Sequence, residues 1–496
     1  MNRTIIGIFV GTTVLYAILS LIFAINGFPC FFQDALCFLP TSYFINHQHQ
    51  LINPLYDAGI DPITHKFLFY PPLFPYSVAM ICKLLPDNYN QIHIALTLID
   101  ICSIIIMLKS AYIYIKKSNI NYNFYLYLFL IIWTVALFSF HGVFDGRPEI
   151  LSDFFIACFI LNNICKDKRF FNFINGALIG LNAINSPIST FYLVIITAGI
   201  IFYNNNLRAK SIIQTVTGFV IIFGCFALVY PYHLIDLFQG LIKHSTHVVV
   251  NRAEAAEVAT DWLKWIQEVR GMYFITPFHV LAGVSFLVSI FYTLFLLIKQ
   301  KKVISILCFI LLFALIDYFA FKNVLMSYNT YVLSPIYMFV LLVLFIDILN
   351  KKILVTVSNT SVWILVILLF INSLGLFRTA LMFFSTQDKK VPINEVGKEI
   401  NFLSKKLKKD KKIYITFSLW PPALDKANSV VSYTPMDNPV IQFIILQQSN
   451  SGQNVAPQIA GFKLIKNGFI PEHPKFGKIQ IGNTYPYYQT AIYEKE

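Results

Sequence analysis

The stretch Phe138–Leu161, "FSFHGVFDGRPEILSDFFIACFIL", decides how this chain is read. One apolar run closes at its start. His141, Asp145, Arg147 and Glu149 then fall within nine residues, and a second apolar run opens. Ionisable side chains are costly beside lipid, so a polar joint between two apolar runs marks either a turn at the membrane boundary or a site. Pro148 suits the first turn of the following helix, and Glu149 lies where the helix dipole favours an anion. The joint therefore reads equally well as a capping cluster, in which Arg147 neutralises two carboxylates, and as one wall of a functional site.

Working outward, apolar runs of about 18 residues or more recur along most of the chain, each long enough to cross a bilayer as a helix. The 496 residues are 57% hydrophobic and 13% charged, with a mean hydropathy of +0.64. A soluble protein would carry roughly twice that charged fraction. The net charge of +13 sits largely in short clusters between the apolar runs. That is the pattern of cytoplasmic loops in a polytopic membrane protein, and it excludes nucleic acid as the partner.

The clusters set the expected topology: Arg3, Lys116-Lys117, Lys166/Lys168/Arg169, Arg208/Lys210, Lys299/Lys301/Lys302 and Lys351-Lys352. With these in the cytoplasm, the chain has about eleven transmembrane helices, its N-terminus inside and its C-terminus outside, in the plasma (inner) membrane. The outer joints are then 26–90, His141–Glu149, a tip near Asn185-Ser186-Pro187, 231–275, Lys322–Asn329 and everything after about 376. The two arms between about 170 and 204 are the shortest spans. "YPPLFPYSVAMICKLL", Tyr70–Leu85, is apolar enough to span, but a crossing there would put every later basic cluster outside. It is expected to be a juxtamembrane or dipping helix, its prolines in the first turn.

Residues 1–380 form the membrane body in this reading, and 386–496 a small extracytoplasmic α/β domain. In the tail, "NEVGKEINFLSKKLKKD" has helical spacing. "KKIYITFS", "NSVVSYT", "GKIQIGN" and "YQTAIYEKE" read as strands. The tail contains no glycine-rich phosphate loop and no metal-ligand cluster. Cys30 and Cys37 share the first outer loop, where an oxidising compartment would permit a disulfide.

The outer joints carry the candidate chemistry. Asp34 follows the first span in an aromatic setting, "GFPCFFQDALCFLPTSYF". It is either an interfacial carboxylate with its head in water or a general base in a partly desolvated groove. The long loop mixes Lys243, His244, His247, Arg252 and Arg270 with Trp262 and Trp265, which suits both a lipid headgroup and an amphipathic helix on the membrane. His233, His244 and His247 do not have the spacing of a ligand motif. Lys322, Asn329 and Tyr331 lie in "KNVLMSYNTYVLSPIYMFVLL", just before a span.

Taken as a set over about 1–380, these features resemble the GT-C superfamily of multi-span glycosyltransferases that use polyprenyl-phosphate sugars. The set is the early acid in "QDALCFLPTSYF", the proline-rich "YPPLFPYSVA", the acid opening "RPEILSDFF" and the tyrosine-and-proline entry "NTYVLSPIYMFVLL". Relatives in that superfamily include lipid A aminoarabinose transferases, protein O-mannosyltransferases and bacterial lipopolysaccharide sugar transferases. The resemblance implies an all-α GT-C-like body, a lipid-phosphate-sugar donor lying in the bilayer and an extracytoplasmic acceptor (glycolipid, polysaccharide or protein). It implies Asp34 as catalytic base and Glu149 as a second carboxylate, with Asp145 a competitor for that role. A divalent metal on Asp34 and Glu149 would suit oxygen ligands, although the reaction does not require one. Donor phosphate and substrate contacts fall to Arg147, Lys66, Lys243, His244, Arg252, Arg270, Lys322, Asn329 and Tyr331. Tyr70 stands where the family often has a charged residue before the Pro-Pro pair. Two other classes stay open. A transporter would show internal repeats and ionisable groups near the midplane, and a receptor would use the tail for binding and would not need Asp34 or Glu149.

Overall fold

The structure, a computed structural model, describes all residues except 1, 32–33, 56–65, 69, 119, 121–122, 140–145, 166–169, 204–207, 251–276, 324–325, 351–357, 433, 452 and 484. Among the described residues, apolar helices stand at each expected span position. They are α1 (Asn2–Ile25), α5 (Gln91–Lys117), α6 (Phe124–Ser139), α7 (Glu149–Ile164), α8 (Phe171–Ala183), α9 (Pro187–Tyr203), α10 (Arg208–Val229), α12 (Pro277–Lys299), α13 (Val303–Asn323), α14 (Met326–Leu349) and α15 (Ser358–Ser385). Shorter helices fill the first and fourth outer joints: α2 (Ala35–Phe38), α3 (Pro40–Gln48), α4 (Leu73–Cys82) and α11 (Leu234–Val250).

Among the described residues, three of these, α1, α5 and α10, are long and apolar enough to cross a membrane on their own. The bent pair at the end of α15 would add a fourth. The count of eleven is thus an expectation about helices that are present, several of them short. At about 1.5 Å per residue, α8 extends only about 20 Å. It offsets that with tight packing. A side-chain carbon at Gly176 would collide with the Thr215 carbonyl and one at Gly218 with the Phe173 carbonyl, so α8 and α10 meet backbone to backbone.

The ends of the bundle differ in chemistry. Lys117 donates to the Ile164 carbonyl at 2.9 Å, Asn350 to Ser118 at 3.4 Å, and Lys302 to Tyr203 at 3.2 Å. Helix ends beside five of the basic clusters therefore meet one another. The first outer loop meets the Arg147–Glu149 joint, the 184–187 tip and the tail.

The Tyr70–Leu85 segment forms α4, whose ten residues reach about 15 Å and are too short to cross. The 322–329 joint is shorter than its sequence indicates. With α13 ending at Asn323 and α14 starting at Met326, Asn329 and Tyr331 lie on a helix and not ahead of one. Cys30 and Cys37 are separate thiols.

In the tail, α16 (Ile393–Ser404) packs its apolar stripe Ile393, Val396, Ile400 and Leu403 inward. It ends before the lysine run that the sequence pattern carried to residue 410. The strands are β1 (Lys412–Ile415), β2 (Val430–Val431), β3 (Ile441–Gln447), β4 (Phe462–Asn467), β5 (Lys475–Phe476), β6 (Ile479–Gln480) and β7 (Thr490–Lys495). The main sheet runs β2-β1-β3-β7-β4, parallel across β2-β1-β3 and antiparallel beyond, with β5-β6 a separate pair. The central strand β3 and the edge strand β4 are absent from the sequence-based reading, and "GKIQIGN" contributes to the separate pair and not to the main sheet. The tail docks on the first outer loop. Trp420 stacks on Phe31 at 5.1 Å, the Cys30 N–H donates to the Pro486 carbonyl at 3.1 Å, and Ser432 N–H to Leu55 at 3.2 Å.

Candidate active site

The polar joint and the first outer loop meet. The left-handed residue Gly146 (φ 61°) brings the chain against α2, where a side-chain carbon would lie 2.6 Å from Ala35 Cβ and Leu39 Cδ1. Only glycine fits that approach. It sets Arg147 above Asp34, the residue preceding α2.

Arg147 then bridges two carboxylates. Its Nη1 donates to Asp34 Oδ2 at 2.5 Å, its Nε to Glu149 Oε2 at 3.0 Å and its Nη2 to Glu149 Oε1 at 3.2 Å. The fork is bidentate on Glu149, the geometry that guanidinium is built for. Side-chain exposures are 13% for Arg147, 24% for Asp34 and 5% for Glu149. Glu149 is thus nearly dry, while Asp34 keeps access to solvent. The Phe38 ring lies 5.8 Å from the guanidinium carbon and packs edge-on against Tyr70 at 5.2 Å.

Two further segments hold the joint. Asn185 donates to the Pro148 carbonyl at 2.9 Å and to Ser152 Oγ at 2.8 Å, fixing the start of α7. The Leu73 N–H donates to the Ile184 carbonyl at 3.1 Å, and the Tyr70 and Ser186 hydroxyls are hydrogen-bonded at 3.1 Å. Burial pushes the Tyr70 phenol up, the Glu149 carboxylate adds to it, and Arg147 pulls the other way. Tyr70 is therefore a neutral hydroxyl at the edge of the cluster.

Of the residues the sequence singled out, Asp34, Arg147, Glu149 and Tyr70 share one site. Lys66 lies elsewhere on that face, 3.7 Å from Asp236 and 5.2 Å from the centre of the Tyr232 ring, at the start of α11. Asp145, Arg252 and Arg270 lie outside the described residues, as do the side chains of Lys243, His244, Lys322, Asn329 and Tyr331. Sequence reasoning missed Asn185 and Ser186 as supports of the site. The available signal was an Asn-Ser pair at an outer tip between apolar arms.

A divalent ion between Asp34 and Glu149 does not suit this arrangement, because the Arg147 guanidinium fills the space between the two carboxylates. Among the described residues no group of three His, Cys, Asp or Glu side chains is placed to hold a metal.

The chain matches no protein-family model and no curated protein sequence. Among solved structures it is similar to the Archaeoglobus fulgidus oligosaccharyltransferase, crystallised in complex with Zn and sulfate. The identity is 12% and the TM-score 0.45, over 88% of this chain and 67% of that one. An overlap this loose assigns no role to any residue here.

Proposed function

We propose that the chain is an integral-membrane glycosyltransferase that moves a sugar from a polyprenyl phosphate to an acceptor on the outer face, with inversion. One observation carries this reading: Arg147 ties Asp34, from the first outer loop, to Glu149, at the start of α7. These are the two acids that the GT-C resemblance singles out, and they lie 115 positions apart in sequence.

In this mechanism the acceptor hydroxyl approaches the accessible side of Asp34. Its oxygen forms the new bond to the anomeric carbon while the bond from that carbon to the phosphate oxygen breaks. The hydroxyl proton passes to the Asp34 carboxylate, and the electron pair leaves on the polyprenyl phosphate. The proton moves as the hydroxyl becomes acidic during bond formation. Glu149 acts through Arg147, holding the guanidinium that orients Asp34. The leaving phosphate is already a stable anion and needs a cation to hold it. Lys66 and the basic residues of the 231–275 loop are the proposed source. Sidedness belongs to the same proposal, with the basic joints cytoplasmic and the Asp34 end outside. A cysteine at Asp87 should then react with an impermeant maleimide on intact cells and one at Lys301 should not; the opposite labelling would overturn it.

The activity is tested by incubating the purified protein with a panel of polyprenyl-phosphate sugars. Release of polyprenyl phosphate is expected for at least one donor. No release from any member, with the protein folded and an envelope extract supplied as acceptor, would contradict the reading.

A further inference from the structure

A second cavity lies at another place. It measures about 780 Å³ and opens between α3, the 87–92 turn and α5 start, α16 and the 421–429 turns of the tail. That is within the size of small-ligand sites. Its wall is mostly hydrogen-bonding side chains, with two carboxylates, Asp87 and Asp425, and two phenols, Tyr43 and Tyr89. Tyr43 donates to Asp425 Oδ1 at 2.7 Å, and His47 Nε2 lies 3.6 Å from Asp87. Burial and Asp425 raise the Tyr43 phenol, so it remains a neutral donor.

The charge balance narrows the ligand. Lys398 and Lys426 also line the cavity and offset the two carboxylates, so neither a polyanion nor a polycation is favoured. The walls are helices and turns with no strand edge, which removes the usual way of adding an extended peptide. The apolar lining side chains, Cys82, Ile92, Pro422 and Leu424, are outnumbered by polar ones and offer little to the apolar stripe of an amphipathic helix. A ligand rich in hydroxyls, with carbon faces to lie on aromatic rings, matches donors, acceptors and phenols together.

We propose that this cavity binds a neutral, hydroxyl-rich glycan, and that this glycan is the body of the acceptor, its reacting end leading toward α2 and Asp34. The acceptor role rests on the transferase reading; the glycan binding does not. α3 joins the two sites, because it follows α2 directly and supplies Tyr43 and His47 to the cavity.

The test uses full-length protein in detergent on a printed array of neutral, acidic and phosphorylated oligosaccharides beside unglycosylated peptides. Wild type should be retained on neutral glycans. Asn401→Trp, at an exposed cavity residue of α16, should lower that signal at least tenfold by filling the space. Asp87 is a largely exposed side chain (77%), so Asp87→Ala provides a second variant whose fold is not in question, also expected to weaken binding severalfold. No glycan signal, signal on peptides alone or on charged glycans alone, or neutral-glycan binding unchanged in both variants would overturn the proposal. The array needs no donor. Glycan binding in a protein that releases no polyprenyl phosphate would therefore sink the transferase reading and leave the cavity standing, and release without array binding would do the reverse.

Discussion

Two acidic sites stand at the same end of this molecule and are built in opposite ways. Around Arg147 the two carboxylates are tied to the same guanidinium, and Glu149 is enclosed at 5% exposure. Around the tail cavity, Asp87 is 77% exposed, and its contact with His47 is a loose one at 3.6 Å. In the first site, removing water strengthens the ion pairs and makes each charge depend on the others. In the second, the acids keep their hydration and present hydrogen-bonding surface. On the proposed reading the first is the place of bond making and the second a place of recognition, and the contrast predicts that substitutions in the two will behave differently.

The sharpest way to break that contrast is Arg147→Ala. It leaves Glu149 and Asp34 without their cation, and stranding a buried ionic partner costs about 3–5 kcal/mol. Thermal unfolding in detergent should show a marked loss of stability together with loss of transfer, whereas Asp87→Ala should leave the melting temperature within error. An Arg147→Ala protein as stable as wild type would mean that the cluster is far more hydrated than its geometry indicates. Arg147→Lys keeps the charge and loses the bidentate fork, so a smaller drop in stability with a large drop in turnover is expected.

A smaller effect is expected at Gly146. Alanine there must adopt a left-handed backbone, at about 1–3 kcal/mol, and must also displace Ala35 or Leu39. The variant should fold and melt earlier, with turnover reduced because Arg147 is carried away from Asp34. Unchanged melting and turnover would show that the close approach of the joint to α2 is not needed to build the site.

Much of the body could be read from the sequence because lipid imposes a simple pattern: long apolar helices with basic punctuation. Asp34 and Glu149 stood out for the same reason, as acids beside apolar runs. Their pairing through Arg147 could not be read, since it depends on a left-handed glycine and on the meeting of segments far apart in the chain. The tail was less legible. β3, "IQFIILQ", is buried on both faces at the centre of the sheet, so it has no alternation to mark it as a strand. β4 does alternate weakly, but lysines break its run and its pairing to β7 shifts register at Leu464/Lys466. The cavity was invisible from sequence because its walls come from four separated segments.

The central claim is that Asp34 takes the acceptor proton. Asp34→Asn preserves shape and can still accept a hydrogen bond from Arg147, but it cannot take up a proton at neutral pH. The direct measurement is turnover of wild type and Asp34→Asn with saturating polyprenyl-phosphate sugar and acceptor, both proteins matched for folding by thermal melting. A positioned general base is worth about 10²–10⁴ in rate, so the variant should fall by that factor while still binding donor. Turnover within a fewfold of wild type would contradict the assignment of Asp34 and, with it, the mechanism built on the Arg147 bridge.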